Sequence, residues 1–425
     1  MSRFLWALFL PAALLLAGCL ALDHEAPPTT FARGATPAPP SEPSSAVMSV
    51  TVGTRQASSD GADALPASEL PLAAVFAPWY GYDAAGQCKG GMGAYHWNND
   101  PNMAGVVDQP EPGFYCSADP ALIRWQLDQL EDAGIQALFV SWWGWGDIDL
   151  DGISEGHPDA SLNQGIHALL TEIITERRPI SVSLIVEPFV QTQAHITPSL
   201  LLPAQRALAL DWLWANYYGR EEYSNLWFQW EGKPLLLAFA PMTLTTTLAP
   251  SVPISYTVRH WTGCARQDVA RQYNCEQAPP AWDWFFGPPQ DPISGLSDDG
   301  VTFVTPRFDE YPAKQMGATY ITWPPRSLDP LLTQCAYERQ WQQLAEQRDR
   351  LRLIVLYAWN LYGEQAYIEP ATATPPRPSI GRRYVERTQA YYAALLDGRP
   401  IVPASRCAYL PQVSMGSQVQ GWLQR

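Results

Sequence analysis

Near the C-terminal end of the chain, the apolar run Leu353 to Tyr357 opens into Ala358-Trp359-Asn360-Leu361-Tyr362-Gly363-Glu364-Gln365-Ala366-Tyr367-Ile368-Glu369-Pro370. A buried strand followed by Asn, Tyr and Glu is how a parallel barrel delivers chemistry, because residues just past the strand ends form its active face. The same design recurs where Ile180 to Val186 stops at Glu187-Pro188. Carboxylates at two strand ends suit cleavage of a glycosidic bond. One carboxyl protonates the departing oxygen while the other acts as nucleophile or base. A third strand end, Thr305-Pro306-Arg307-Phe308-Asp309-Glu310-Tyr311, adds an arginine that suits a sugar oxygen or a carboxylate, with two more acids beside it. The plainer alternative there is a loop salt bridge between Arg307 and Asp309.

Such residues need a scaffold, and the chain alternates strand-like with helix-like segments. Strand-like runs fall at residues 72–79, 137–142, 180–186, 234–239, 254–258, 282–286 (weakly), 301–305 and 353–359. Asp119-Pro120 opens an amphipathic helix with Leu122, Ile123, Trp125, Leu127 and Leu130 at helical spacing, and Ala133-Gly134 ends it. Residues 160–177, 203–217, 328–351 and 381–396 carry similar patterns. This alternation predicts an α/β chain with a single (β/α)8 TIM-like barrel over residues 71–410 and a C-terminal tail at 411–425. Residues 240–299 show few helical patterns, and insertions or missing elements are expected there.

At the strand ends the blocks Ala77-Pro78-Trp79-Tyr80-Gly81, Tyr95-His96-Trp97-Asn98, Ser141-Trp142-Trp143-Gly144-Trp145 and Glu187-Pro188-Phe189 occur in order. Together with the Trp359–Glu369 block, they resemble glycoside hydrolase family 99 and its relatives, endo-α-mannosidases and mannanases. The resemblance covers residues 74–187 and 355–371, with little between. It implies a (β/α)8 barrel and metal-independent, retaining hydrolysis within α-mannose-containing glycans, with no cofactor.

Carried over by position, the resemblance makes Glu364 the general acid/base and Glu187 a sugar contact. Tyr80, His96 and Trp97 become pocket-lining residues, with Trp143, Asn360 and Tyr362 in the same cleft. An aromatic shell of Trp359, Tyr362 and Tyr367 would raise the Glu364 pKa by desolvation. The chain departs from the family at Leu361, where the family has the Glu that deprotonates the sugar 2-hydroxyl. Leucine cannot accept a proton, so the family mechanism does not transfer intact. Asp309 or Glu310 is the expected replacement, if one lies about 5 Å from Glu364 as retention requires. Glu369 also has a family counterpart and is expected to be structural.

Composition narrows the partners. The 18 Trp, 19 Tyr and 13 Phe exceed ordinary core needs and suit stacking on sugar rings, although an aromatic-rich core is the plainer account. A net charge of −15 argues against nucleic acid and anionic membrane surfaces as direct partners. Arg3, an apolar stretch to Leu16 and then Leu16-Ala17-Gly18-Cys19 resemble a bacterial lipoprotein signal over residues 1–19, with Cys19 lipidated after cleavage. Residues 20–70, rich in Pro, Ala, Ser and Thr, read as a disordered tether with a reach on the order of 40 Å.

Six further cysteines remain: Cys88, Cys116, Cys264, Cys275, Cys335 and Cys407. In an oxidising compartment they imply three disulfides, and nearest-neighbour pairing gives Cys88–Cys116, Cys264–Cys275 and Cys335–Cys407 among the possible connectivities. Asp147-Ile148-Asp149-Leu150-Asp151-Gly152 copies the start of a calcium loop, but Pro158 occupies the position that demands Glu. It reads as an acidic surface loop, and no metal is expected.

The expected protein is a lipid-anchored glycoside hydrolase acting outside the cytoplasm, at the outer side of the cell membrane or in the periplasm, on a polysaccharide or glycan. Two rivals remain open. One is a non-catalytic carbohydrate-binding lipoprotein on the same barrel, and the other is a factor assisting assembly of cell-surface polysaccharide.

Overall fold

The computed structural model describes residues 70–83, 86–92, 94, 96–97, 108–142, 144, 159–186, 210–239, 257–262, 281–283, 296–297, 299–308, 330–373 and 381–402. Its centre is a sheet of parallel strands: β1 (Leu72–Phe76), β2 (Ala137–Trp142), β3 (Ser181–Val186), β4 (Lys233–Phe239), β5 (Thr257–Thr262), β6 (Ala281–Asp283), β7 (Val301–Val304) and β8 (Leu353–Leu356). The order across the sheet is β6-β5-β4-β3-β2-β1-β8-β7. First and last strands are therefore neighbours, with Ala73 beside both Ala137 of β2 and Val355 of β8. A parallel sheet in that order is curled and barrel-like. Among the described residues no ladder joins β6 to β7.

The strands read as unbroken apolar runs because both faces are covered. Every residue of β1, β2, β7 and β8 is buried, as parallel strands between helices require. Four α-helices have both bounds among the described residues: α1 (Pro120–Asp132), α2 (Asp159–Thr175), α3 (Pro330–Glu346) and α4 (Arg383–Leu396). The Asp119 side chain caps α1 by accepting from the Ala121 amide at 2.8 Å, and Pro120 supplies the helical φ of the first turn. Gly134, at φ +83°, ends it, and the Ile135 amide returns to the Leu130 carbonyl at 2.9 Å. The buried face of α1 carries two amides, Gln126 and Gln129, among its leucines.

Every strand-like run in the sequence corresponds to a strand of this sheet. Of the run at 254–258, residues 257 and 258 are described and open β5, whose register with β4 sets Leu235 beside Thr257. Helical structure from the predicted 203–217 segment is described from residue 210 and finishes in a π-turn, Trp214–Tyr218. Gly219 closes it; a Cβ there would stand 2.7 Å from the Trp214 ring. Of the expected disulfides, Cys88–Cys116 is formed, with Cα atoms 5.5 Å apart. Cys19, Cys264, Cys275 and Cys407 lie outside the described residues, as do the tether, the acidic 147–158 segment and the C-terminal tail.

Candidate active site

Just past β8 the chain makes a hairpin. Asn360–Leu361 pairs antiparallel with Ala366–Tyr367, and the turn between them carries Gly363 and Glu364. The left-handed Gln365 (φ +53°) closes the turn, its amide donating to the Tyr362 carbonyl at 3.0 Å. Glu364 is half-buried at the tip. The Tyr357 hydroxyl, from the end of β8, donates to its Oε2 at 2.8 Å. A carboxyl with one oxygen oriented by a phenol and partial access to solvent is suited to passing a proton to a bound molecule.

Asn360 ties this hairpin to the neighbouring strand. Its Oδ1 accepts from the Ala77 amide at 2.7 Å, and its Nδ2 donates to the Ala77 carbonyl at 2.9 Å. Only a side-chain amide donates and accepts in that way, so Asn360 serves as an extra rung of ladder between β8 and β1. Tyr80 adds a second tie, its hydroxyl accepting from the Tyr362 amide at 3.0 Å. The Tyr80 ring stacks on Trp97 at 4.3 Å, and Trp97 Nε1 donates to the Tyr115 carbonyl at 2.6 Å. Gly81 is required here for space: with φ +86°, it leaves room for the Tyr115 carbonyl, which a Cβ would strike. His96, at φ +61°, places its ring 5.8 Å from Trp79 and 6.1 Å from Tyr80.

Beneath the hairpin lie two buried carboxylates, one on each side of a tyrosine pair. Tyr362 and Tyr367 stack at 4.4 Å. The Tyr362 hydroxyl donates to Glu369 Oε2 at 2.7 Å, and that oxygen also receives the Tyr115 hydroxyl at 2.9 Å. Gln126 of α1 donates to Glu369 Oε1 at 2.5 Å. Burial pushes the Glu369 carboxyl up to about 7, against the opposing pull of the Gln126, Tyr362 and Tyr115 donors. Burial likewise holds Tyr362, Tyr115 and Tyr80 far above the ordinary phenol value, so all three keep their protons.

On the other side, Tyr367 donates to Asp108 through a short hydrogen bond. Arg307 donates to Asp108 Oδ2 at 3.0 Å and to Gln365 Oε1 at 2.6 Å. Burial pulls the Arg307 pKa down, but Tyr367 and Asp108 outweigh it, and the guanidinium stays above its ordinary value.

The structure gathers Tyr80, Trp97, Asn360 and Tyr362 into one fully buried layer behind Glu364. Arg307 belongs to the network below, and among the described residues its carboxylate partner is Asp108. The sequence did not point to Asp108, because it reaches Arg307 on a strand, Asp108–Pro110, that pairs with Ala371–Ala373. Glu187, Trp143, Asp309 and Glu310 fall outside the described residues. Leu361 is buried in the hairpin, so the turn itself brings no second acid. Sequence reasoning missed Asp108, Tyr115, Gln126 and Tyr357. Only Gln126 left a trace, as a polar residue on the apolar face of α1.

No family model and no curated protein matches this sequence. Solved structures do match. The GH99 endo-α-mannosidase from Bacteroides thetaiotaomicron superposes with a TM-score of 0.51 at 15% identity, covering 77% of this chain and 98% of that one. Its complex with bis-tris-propane gives the same score and coverage at 14% identity. A looser likeness, TM-score 0.35 at 11% identity over 76% of this chain and 94% of the other, is to a glycoside hydrolase-like protein. At these identities the likeness is one of fold: the chain shares a TIM-barrel-type architecture with the two endo-α-mannosidase structures.

Proposed function

We propose that the chain is a glycoside hydrolase acting on a glycan or polysaccharide, with α-mannose-containing polymers the first substrates to try. The observation that carries the reading is Glu364. It is a half-buried carboxyl on the turn just past the last parallel strand, with one oxygen held by Tyr357. The endo-α-mannosidase fold, shared over nearly the whole length of that enzyme, supports it.

In this reading Glu364 gives its proton to the departing glycosidic oxygen and then takes one from water. Asn360, Tyr80 and Tyr362 hold the turn against β1, which fixes the distance from Glu364 to the bond being cut. The second carboxylate comes from Glu187, Asp309 or Glu310. The proposal extends to a closed (β/α)8 barrel over residues 71–410 and to lipidation at Cys19 with a tether at 20–70, placing the enzyme outside the cytoplasm.

Glu364→Gln tests the assignment. With yeast α-mannan, other mannans and a panel of unrelated polysaccharides, release of reducing ends should fall by about 10²–10⁴-fold while binding persists. Undiminished cleavage defeats the assignment. One observation favours a rival: Leu361 is apolar and buried where the resembling family has its base. Binding to these glycans with no cleavage by the unaltered chain would establish the carbohydrate-binding reading instead. Membrane fractionation of Cys19→Ala tests the anchor; unchanged membrane association removes it.

A further inference from the structure

We propose that Glu369 is a positioning residue for Glu364, acting through Tyr362; its role in turnover rests on the reading of Glu364 as the acid/base. Tyr362 immediately precedes the turn and is held at three points. Its amide donates to Tyr80, its ring lies on Tyr367, and its hydroxyl donates to Glu369. The first two ties are a neutral hydrogen bond and a stack. The third ends on a carboxylate with no exposed surface.

Glu369 is also where three separately positioned pieces of chain meet. Gln126 comes from α1, Tyr115 from the segment that the Cys88–Cys116 bridge ties back to the end of β1, and Tyr362 from the hairpin. The Glu369 amide donates to the Trp359 carbonyl at 2.9 Å, so both ends of the hairpin segment close on the same residue. A residue needed only for filling would be apolar, because burying a carboxyl is costly unless its geometry is used. Asn360 Nδ2 reaches the Tyr115 hydroxyl at 3.3 Å, which links the β1–β8 tie to the same carboxylate.

The groups facing Glu369 are Gln126 of α1, Tyr115 from the β1 side, and Trp359 and Tyr362 from the β8 side. Tyr80 lies beyond them and feels both Glu369 and Glu364. Asp108 and Arg307 lie past Tyr367. Among the described residues, Glu369's direct partners are neutral donors. Substituting Glu369 therefore weakens the hold on Tyr362 without disturbing an ion pair.

The test uses the full chain with carbon-13 at the glutamate side-chain carboxyls, the Glu364 signal being identified by its loss in Glu364→Gln. Glu369→Gln and Tyr362→Phe should each move the Glu364 titration midpoint, and the double variant should move it no further than either alone. On yeast α-mannan both should lower kcat by roughly tenfold or more with little change in KM, and change the shape of the kcat–pH profile. If Glu369→Gln does not fold, Tyr362→Phe carries the same comparison. An unmoved Glu364 titration in a folded variant, or fully additive shifts in the double variant, overturns the proposal. Cleavage undiminished in Glu364→Gln would sink the acid/base reading instead. The titration decides the coupling even if α-mannan is not cleaved.

Discussion

Glu364 sits half-buried at the tip of the hairpin with the Tyr357 hydroxyl on one oxygen. Glu369, at the base of the same segment, is sealed from solvent and receives three neutral donors. Asp108, across the Tyr362–Tyr367 stack, is equally buried but has Arg307 against it. Three acids within one region thus sit in three environments. The first has partial access to solvent and can exchange protons with it. The second is held by hydrogen bonds alone and is driven by burial toward neutrality. The third is fixed as an ion pair. Chemical access and structural anchoring are separated by only a few residues of chain.

The largest effect should come from breaking that separation at its open end. Glu364→Gln keeps the shape and the Tyr357 contact while removing the proton, so turnover on a cleaved glycan should drop about 10²–10⁴-fold. The melting temperature should scarcely change, because the residue is only half-buried. A large loss of stability would mean that Glu364 is an anchor like Glu369.

Next is the ion pair. Arg307→Met leaves Asp108 charged and buried with no guanidinium, a situation that costs about 3–5 kcal/mol. Urea unfolding measures it. The double variant with Asp108→Asn should recover much of the loss, because no buried charge is then left alone. Failure to recover would mean that the contacts of Arg307 with Gln365 and Tyr367 matter more than the charge.

The hydrogen-bonded acid makes a pH-dependent contribution. The carboxyl of Glu369 rises from 4.5 to about 7 on folding. The folded state therefore binds the proton more tightly. The stabilisation is fully present below pH 4.5 and is lost as pH rises through 7. A shift of that size corresponds to roughly 3 kcal/mol across the window. Unfolding free energies should fall over that range in the parent chain, and Glu369→Gln should remove that part of the slope. An identical slope in both proteins would assign the titration elsewhere.

How much of this was legible in the sequence depends on which force decided each feature. The strands of the sheet were readable because a parallel sheet buried on both faces demands unbroken apolar runs such as Leu353–Leu356. The start and end of α1 were readable because Asp119-Pro120 and Ala133-Gly134 are local signals. Glu364 stood out as an acid just past a strand. The Asp108–Arg307 pair was not visible, because its partners are 199 residues apart in the chain and Asp108 lies on a strand, Asp108–Pro110, that pairs with Ala371–Ala373. Tyr80 and Trp97, expected to line a sugar pocket, stack on each other in the buried layer behind Glu364, an arrangement that composition does not reveal. Composition registers how many rings a chain has, not whether a ring faces the core or a ligand.

The smallest effect tests how the buried layer supports the open turn. Tyr80→Phe keeps the ring, and so should keep the stack on Trp97 at 4.3 Å, but removes the oxygen that accepts from the Tyr362 amide. The net value of such a bond is about 0.5–1.5 kcal/mol, and the amide keeps its longer contact with the Asn360 carbonyl at 3.1 Å, which holds the cost within that range. A loss of about 1 kcal/mol is therefore expected from urea unfolding. The amide of Tyr362 should also exchange its proton with solvent sooner than in the parent chain, by roughly the factor of five to ten that such an energy implies if exchange requires local opening. Trp97→Phe is the matched control, because it shrinks the same stack but leaves the Tyr80–Tyr362 bond in place. Faster exchange at Tyr362 in Tyr80→Phe, with slower or unchanged exchange in Trp97→Phe, assigns the support of the turn to the hydrogen bond. Equal effects in the two variants would assign it to aromatic packing.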